Sequence, residues 1–482
     1  MQDIDIATLK KRSIRGIVAL TTRTFLLQII AFAATFLLTL LLTPSIFGVY
    51  YVVSAVISFL GYFSDIGLAA ALVQKKEALT EEEITTTFTI QQILVVTLVI
   101  IAFIFSGFIA QFYHLNDAGA WLFRALVVSF FLSSLKTIPS ILLERELQFD
   151  KLVIPTIAET LGFYIVTVYL AWRGFGITSF AWGVLTRGII GLIAIYIIRP
   201  WKMSFGLSKD ALRRLLRFGV PFQLNSFLAL LKDDLFTIFL GKALPFAQVG
   251  YIGWAKKWAE VPLRLIMDSI IRVTFPAFAR LQHDVVLLRK AIEKTIYGLS
   301  LTMLPISMGL LFFVHPMVEI IPKYAKWNPA LTSFYFFVVT AAVAGLTTPL
   351  TNALNAVGKI KTTLFFMVLW TVLTWTFSLV GLKLFGYNGV AIAMCAISLT
   401  IIWVLIEVKK IVAFSCWAQI WSAVSGIAIQ GLWYFIVLPH TPRSVPMLGV
   451  VGGVGVILYA VTVYVLDRPR IQGFAQSLHN LP

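Results

Sequence analysis

The sequence predicts an all-α integral membrane protein of about fourteen transmembrane helices, each long enough to cross a bilayer core. Three observations carry that reading. Of the 482 residues 59% are hydrophobic and only 13% charged, where a water-soluble domain carries roughly a quarter charged residues. Apolar runs of about twenty residues recur from one end of the chain to the other, and that length matches the hydrocarbon thickness. The Lys and Arg residues fall in short segments between those runs, on alternate sides of the predicted membrane.

The expected span cores are 17–42, 47–71, 84–113, 120–142, 153–172, 177–198, 216–240, 247–275, 292–314, 330–356, 362–383, 388–408, 416–438 and 447–466. The first is preceded by Lys10, Lys11, Arg12 and Arg15 and continues to about Leu42. That is far beyond the 7–15 apolar residues of a cleaved signal, so it reads as a first span with a cytoplasmic N-terminus. With the N-terminus inside, the cytoplasmic segments hold roughly 25 Lys and Arg against 6 on the opposite side. Omitting or inventing a helix would scramble this alternation, so both termini are expected inside.

The longest connection, about 199–215, contains Ser208–Phe218, an amphipathic segment with Ser208 as N-cap and Arg213, Arg214 and Arg217 suited to an anionic inner leaflet. It divides the chain into an N-terminal lobe over 1–200 and a second lobe over 201–412, with the two last spans at 413–482. The lobes repeat weakly. Thr43–Tyr51 (TPSIFGVYY) leads into the second span and Leu244–Ile252 (LPFAQVGYI) follows the seventh, and Pro, Gly and Tyr coincide with one residue skipped. Matching topology and this pair suggest two six-helix bundles in parallel orientation.

The net charge of +17 is a membrane-topology signal, since nucleic-acid binding needs an exposed basic surface. Cys395 and Cys416 form no disulfide framework, and the five histidines lie singly at helix ends, so no metal or other cofactor is expected.

An ionisable group inside a span costs about 2.5–3.5 kcal/mol on insertion scales, so such residues point to function. They are Arg23, Asp65, Arg124, Lys136, Glu159, Arg187, the cluster Lys232-Asp233-Asp234, and the eighth span's Lys256, Lys257, Glu260, Arg264, Asp268 and Arg272. Five of the last group, Lys256 to Arg272, are spaced four apart and alternate in sign. Neighbours at that spacing touch on a helix, and a charged stripe of this kind faces protein or water rather than lipid. It is read either as a self-neutralised packing ladder or as a cavity wall with spare positive charge. Pro262 is expected to kink the helix within it. Glu159 and Arg187 pair with each other or with backbone. A cavity with excess Arg suits an anion, which Arg binds bidentately. Tyr164, Trp172, Trp182, Tyr251, Trp254 and Trp258 read as interface anchors or as faces for sugar rings and prenyl chains.

Several segments in order resemble one family. Leu41–Tyr50 (LLTPSIFGVY) and Phe63–Lys75 (FSDIGLAAALVQK) are similar to the opening of the Wzx-type polysaccharide flippases, in particular their WzxC-like branch. Arg145–Phe149 (RELQF), Leu216–Phe222 (LRFGVPF), Gly250–Trp254 (GYIGW), Glu260-Val-Pro262 and Val273–Gln282 (VTFPAFARLQ) resemble later landmarks of that branch. The resemblance covers about 20–300 and implies membership of the multidrug/oligosaccharidyl-lipid/polysaccharide exporter superfamily. It implies two six-helix lobes around a central cavity plus two C-terminal helices, working by alternating access in a bacterial inner membrane. It implies a substrate of undecaprenyl-pyrophosphate-linked oligosaccharide moved to the outer leaflet, with membrane lipids, a polysaccharide polymerase and other assembly proteins as partners, and no nucleic acid. On that reading Arg23, Lys256, Arg264 and Arg272 hold the pyrophosphate, and Asp65, Asp233, Asp234, Glu260, Asp268 and Arg187 are cavity or gating charges. The family carries one acidic residue near Asp234 where this chain has two, so both aspartates stand as candidates. The alternatives are a lipid II flippase and a cation-coupled multidrug antiporter, whose first span would carry a carboxylate where this one has Arg23. An enzyme is not expected: outer connections are short, and the longest, about 315–329, offers only Glu319.

Overall fold

The structure is a computed structural model that describes residues 25–75 and 77–479, without the side chains of 221, 222, 224–226, 268, 269, 272, 273 and 471–479. Every regular element among the described residues is helical. In chain order the first are α1 (Phe25–Leu41), α2 (Pro44–Tyr62), α3 (Leu68–Gln74), α4 (Glu81–Ile104), α5 (Ser106–Phe112) and α6 (Asp117–Ser134). Then come α7 (Thr137–Arg145), α8 (Phe149–Trp172), α9 (Thr178–Ile198), α10 (Lys209–Ala243), α11 (Phe246–Ala259), α12 (Val261–Leu281) and α13 (Val285–Ile320). The last are α14 (Leu331–Ala356), α15 (Ile360–Phe385), α16 (Asn388–Ser398), α17 (Ile401–Lys409), α18 (Cys416–Val437) and α19 (Val445–His479).

Eleven of the described helices are long and apolar enough to cross a membrane, counting α16 with α17 as one. The other three expected spans correspond to α1, described from Phe25 onward, to α10, and to α11 with α12. The helices turn apolar side chains outward. On α8, Ile154, Leu161, Ile165, Tyr169 and Trp172 are exposed along one face, while Glu159, Phe163, Thr167 and Ala171 are buried on the other. In water such continuous apolar stripes would aggregate; against hydrocarbon they are the required surface. The chain is an integral membrane protein.

Several expected spans are built from two shorter helices. The second breaks at Phe63–Gly67, where Ile66 has φ 49° and Gly67 φ 79°, and restarts as α3. The fourth breaks between α6 and α7, with Lys136 at the junction. The eighth breaks at Glu260, just before Pro262, as a ring without an N–H requires. By contrast, the amphipathic Ser208–Phe218 segment and the seventh span run on as the single 35-residue α10, whose N-cap Ser208 accepts from the Ala211 N–H at 3.3 Å.

The chain packs as two compact units, Met1–Gly250 and Tyr251–Pro482. In the first, α10 lies along α2 and α3, and α8 along α9. The two repeated segments fold alike: Thr43 (ψ 157°) and Leu244 (ψ 150°) are extended, as residues before proline prefer, and Pro44 opens α2 as Pro245 directly precedes α11. They also pack on one another. A Cβ at Gly48 would run into the carbonyl oxygen of Phe246, and one at Gly250 into that of Pro44. Backbones meet there because neither glycine has a side chain. In the second unit, α13 packs on α14 and α18, α18 on α19, and α14 on α12 and α16.

Candidate functional site

The charge chemistry gathers in two places. The first is the junction of α11 and α12. Backbone bonds continue through the break, from Glu260 N–H to Lys256 O and from Arg264 N–H to Glu260 O, both at 3.0 Å. The four-residue spacing therefore survives the kink. Arg264 donates to Glu260 Oε2 at 2.9 Å and still leaves 54% of its side chain exposed. Lys257, seven residues earlier and two turns away, lies on the same face as Arg264. The result is a strip on which Glu260 answers Arg264 while Lys257 adds a second positive charge. The sequence reading favoured Lys256 as the ligand; the i, i+3, i+7 spacing of Lys257, Glu260 and Arg264 was the signal for its neighbour. Asp268 and Arg272 continue the strip in sequence, but their side chains lie outside the described residues, and Arg23 lies outside them altogether.

The second place lies within the first unit, where the α6–α7 break meets the middles of α8 and α9. Lys136, at the α6–α7 break, donates directly to Glu159 Oε2 on α8. Arg187 on α9 stands 4.0 Å from the other oxygen, Oε1. Their side chains are 17% (Lys136), 11% (Glu159) and 52% (Arg187) exposed. Gly191, one turn along α9 from Arg187, makes the space: a Cβ there would overlap Glu159 Oε2 and sit 2.8 Å from Lys136 Nζ. Tyr50 of α2 stacks on Phe180 of α9 at 4.2 Å, two turns before Arg187. The expected Glu159–Arg187 approach is present. The third member, Lys136, was visible as a span charge, but nothing in its spacing tied it to residues 23 positions away.

The other acidic candidates with described side chains have partners of their own. Asp65 accepts from the Ala69 N–H at 3.0 Å and so caps α3 after the break. Asp234 accepts from Ser58 Oγ of α2 at 2.9 Å, joining α10 to α2, while Asp233 lies 3.8 Å from the neighbouring Lys232. Of the aromatic candidates, Trp172 and Trp182 are exposed on the apolar surface. Trp254 is buried in a stack with Trp327, ring centroids 5.3 Å apart, and packs the second unit.

Residues 37–332 match the model of a protein family described as "Polysaccharide biosynthesis protein". This chain belongs to that family. The matched stretch includes both charge clusters. Among curated relatives, the lipopolysaccharide biosynthesis protein WzxC of Escherichia coli K12 is 25% identical over 376 residues, 77% of this chain and 75% of that protein. The teichuronic acid biosynthesis protein TuaB of Bacillus subtilis 168 is 23% identical over 302 residues, 61% of each chain. Among solved structures, the lipid II flippase MurJ in an inward closed conformation superposes with a TM-score of 0.74 at 14% identity, over 93% of this chain and 99% of that one. A multidrug resistance MATE transporter in its inward-facing conformation gives 0.63 at 15% identity, over 80% and 95%. These likenesses show that the chain has a fold like that of MurJ and the MATE transporter.

Proposed function

We propose that this family member is a lipid-linked oligosaccharide flippase. It carries an undecaprenyl-pyrophosphate-linked glycan from the inner to the outer leaflet of a bacterial inner membrane, for polysaccharide assembly. The observation that carries the reading is the half-exposed Arg264 beside Lys257 on the broken α11–α12 helix, within a chain otherwise built of apolar spans. A guanidinium that stays half exposed at membrane depth although Glu260 pairs with it, with a lysine on the same face, suits an anionic headgroup. The roles of biosynthesis proteins such as WzxC and TuaB support the choice of glycan carrier.

On this reading α1, α10 and α11–α12 also cross, making fourteen spans with both termini inside, as two six-helix lobes and two further helices. Arg23, Lys256, Arg264 and Arg272 contact the pyrophosphate, and Asp65, Asp233, Asp234, Glu260, Asp268 and Arg187 shape or gate its path. The lobes alternate access to the two leaflets, without bond making or breaking by the protein. Its product is passed to polymerase and assembly proteins. Two negative charges leaving a negative-inside compartment gain about 4–5 kcal/mol per 100 mV, so the membrane potential drives the step.

The test is translocation of a fluorescent undecaprenyl-pyrophosphate oligosaccharide in proteoliposomes. Wild type flips it, faster with a negative-inside potential. Arg264→Ala slows it at least tenfold with its thermal midpoint unchanged. Intact transport by that variant refutes the cationic-strip assignment. Flipping of lipid II alone, or export of cationic drugs alone, moves the chain to a neighbouring branch of the superfamily.

A further inference from the structure

The Lys136–Glu159–Arg187 cluster holds two cations and one carboxylate, and the geometry divides them unequally. Lys136 is in direct contact with Glu159, whereas Arg187 stands 4.0 Å away, beyond a good hydrogen bond. The carboxylate's charge is thus answered mainly by lysine, which leaves the guanidinium in surplus.

The exposed half of Arg187 does not face lipid. On α9 the exposed apolar stripe is Trp182, Ile189, Ile193 and Ile197, and the buried face is Gly183, Val184, Gly188, Gly191 and Ile195. At 3.6 residues per turn, Arg187 lies roughly 120° from the stripe and about 50° from the buried face. Its exposure therefore opens inside the first unit, on the side where Tyr50 of α2 stacks on Phe180, two turns before Arg187 on α9. A half-exposed bidentate donor at membrane depth is suited to a phosphate-type oxyanion.

We propose that Arg187 is the anchor of an oxyanion site for a diphosphate headgroup, and that Lys136 is the positioning residue that occupies Glu159 so that Arg187 stays available. This deepens the flippase reading and rests on it for the lipid's identity; the anion binding is tested separately. Remove Lys136, and Glu159 takes Arg187 as its sole counter-charge. Remove Glu159 as well, and Arg187 is released again.

The experiment is equilibrium binding of farnesyl diphosphate to the purified full-length protein in detergent, with inorganic pyrophosphate and farnesol as companion probes. Wild type binds the diphosphate and not farnesol. Arg187→Gln and Lys136→Met each weaken binding tenfold or more, and the double variant Lys136→Met/Glu159→Gln returns to within about threefold of wild type. Apo thermal midpoints identify any variant that has merely unfolded, and the double variant, which leaves no charge buried alone, keeps the test decisive. Displacement by pyrophosphate identifies the phosphates as the recognised group; a lipid that pyrophosphate cannot displace overturns the oxyanion site. Unchanged binding by Arg187→Gln overturns it too, and failure of the double variant to recover overturns the role of Lys136. Binding with this mutational pattern but no glycan flipping in proteoliposomes sinks the flippase reading and leaves the oxyanion site standing.

Discussion

The α11–α12 strip and the Lys136–Glu159–Arg187 cluster solve the same problem, charge at membrane depth, in opposite ways. The strip is local: Glu260 meets Arg264 one turn along the same helix, and the pair keeps 22% and 54% of its side chains exposed. The cluster is non-local: the α6–α7 break, α8 and α9 each contribute one group, and the carboxylate is 11% exposed. Exposed i,i+4 pairs stabilise by about 0.3–0.5 kcal/mol. Breaking a buried pair costs about 3–5 kcal/mol, because it strands a charge. The strip is therefore expendable for the fold and free to serve a ligand. The cluster is bound into the fold, and only its outer member, Arg187, has exposure left for binding.

The comparison breaks first, and hardest, at the two glutamates. Glu159→Ala leaves Lys136 and Arg187 facing each other and is expected to lose about 3–5 kcal/mol, read as a large fall in thermal midpoint or in folded yield. Glu260→Ala is expected to cost under about 0.5 kcal/mol. Equal losses would erase the distinction. A smaller effect is expected at Gly191, where the added methyl of Gly191→Ala displaces the Lys136–Glu159 contact at a cost of about 1–3 kcal/mol. Gly309 on α13 has nothing within 4 Å of an added Cβ, and Gly309→Ala should gain up to about 1 kcal/mol from helix propensity. The smallest effect is ionic. Raising salt from about 0.1 M to 1 M shortens the screening length from roughly 10 Å to 3 Å. The midpoint difference between wild type and Glu260→Ala should then vanish, while that of Glu159→Ala persists.

The sequence alone made the membrane class, the alternating charge and the motif order legible, because hydropathy and the positive-inside bias act segment by segment. The α11–α12 ladder was legible for the same reason: helical spacing places Glu260 beside Arg264 before any tertiary contact exists. The kink at Pro262 and the Ser208 cap were likewise local. What the sequence left open, packing decided. Which aspartate of the Lys232–Asp234 cluster is tied to another helix depended on where Ser58 of α2 falls, and Asp234 is the one that meets it. The capping role of Asp65 needed the break at Ile66 and Gly67. The repeated segments Thr43–Tyr51 and Leu244–Ile252 could be matched by eye, but that Gly48 and Gly250 bring their backbones together is a fact of three-dimensional approach. Lys136, Glu159 and Arg187 are spread over 52 positions of sequence, and no periodicity joins them. Only the packing of three helices, with Gly191 making room, brings one carboxylate between two cations, because a buried charge must be paired and the chain has to fold before a distant partner can reach it.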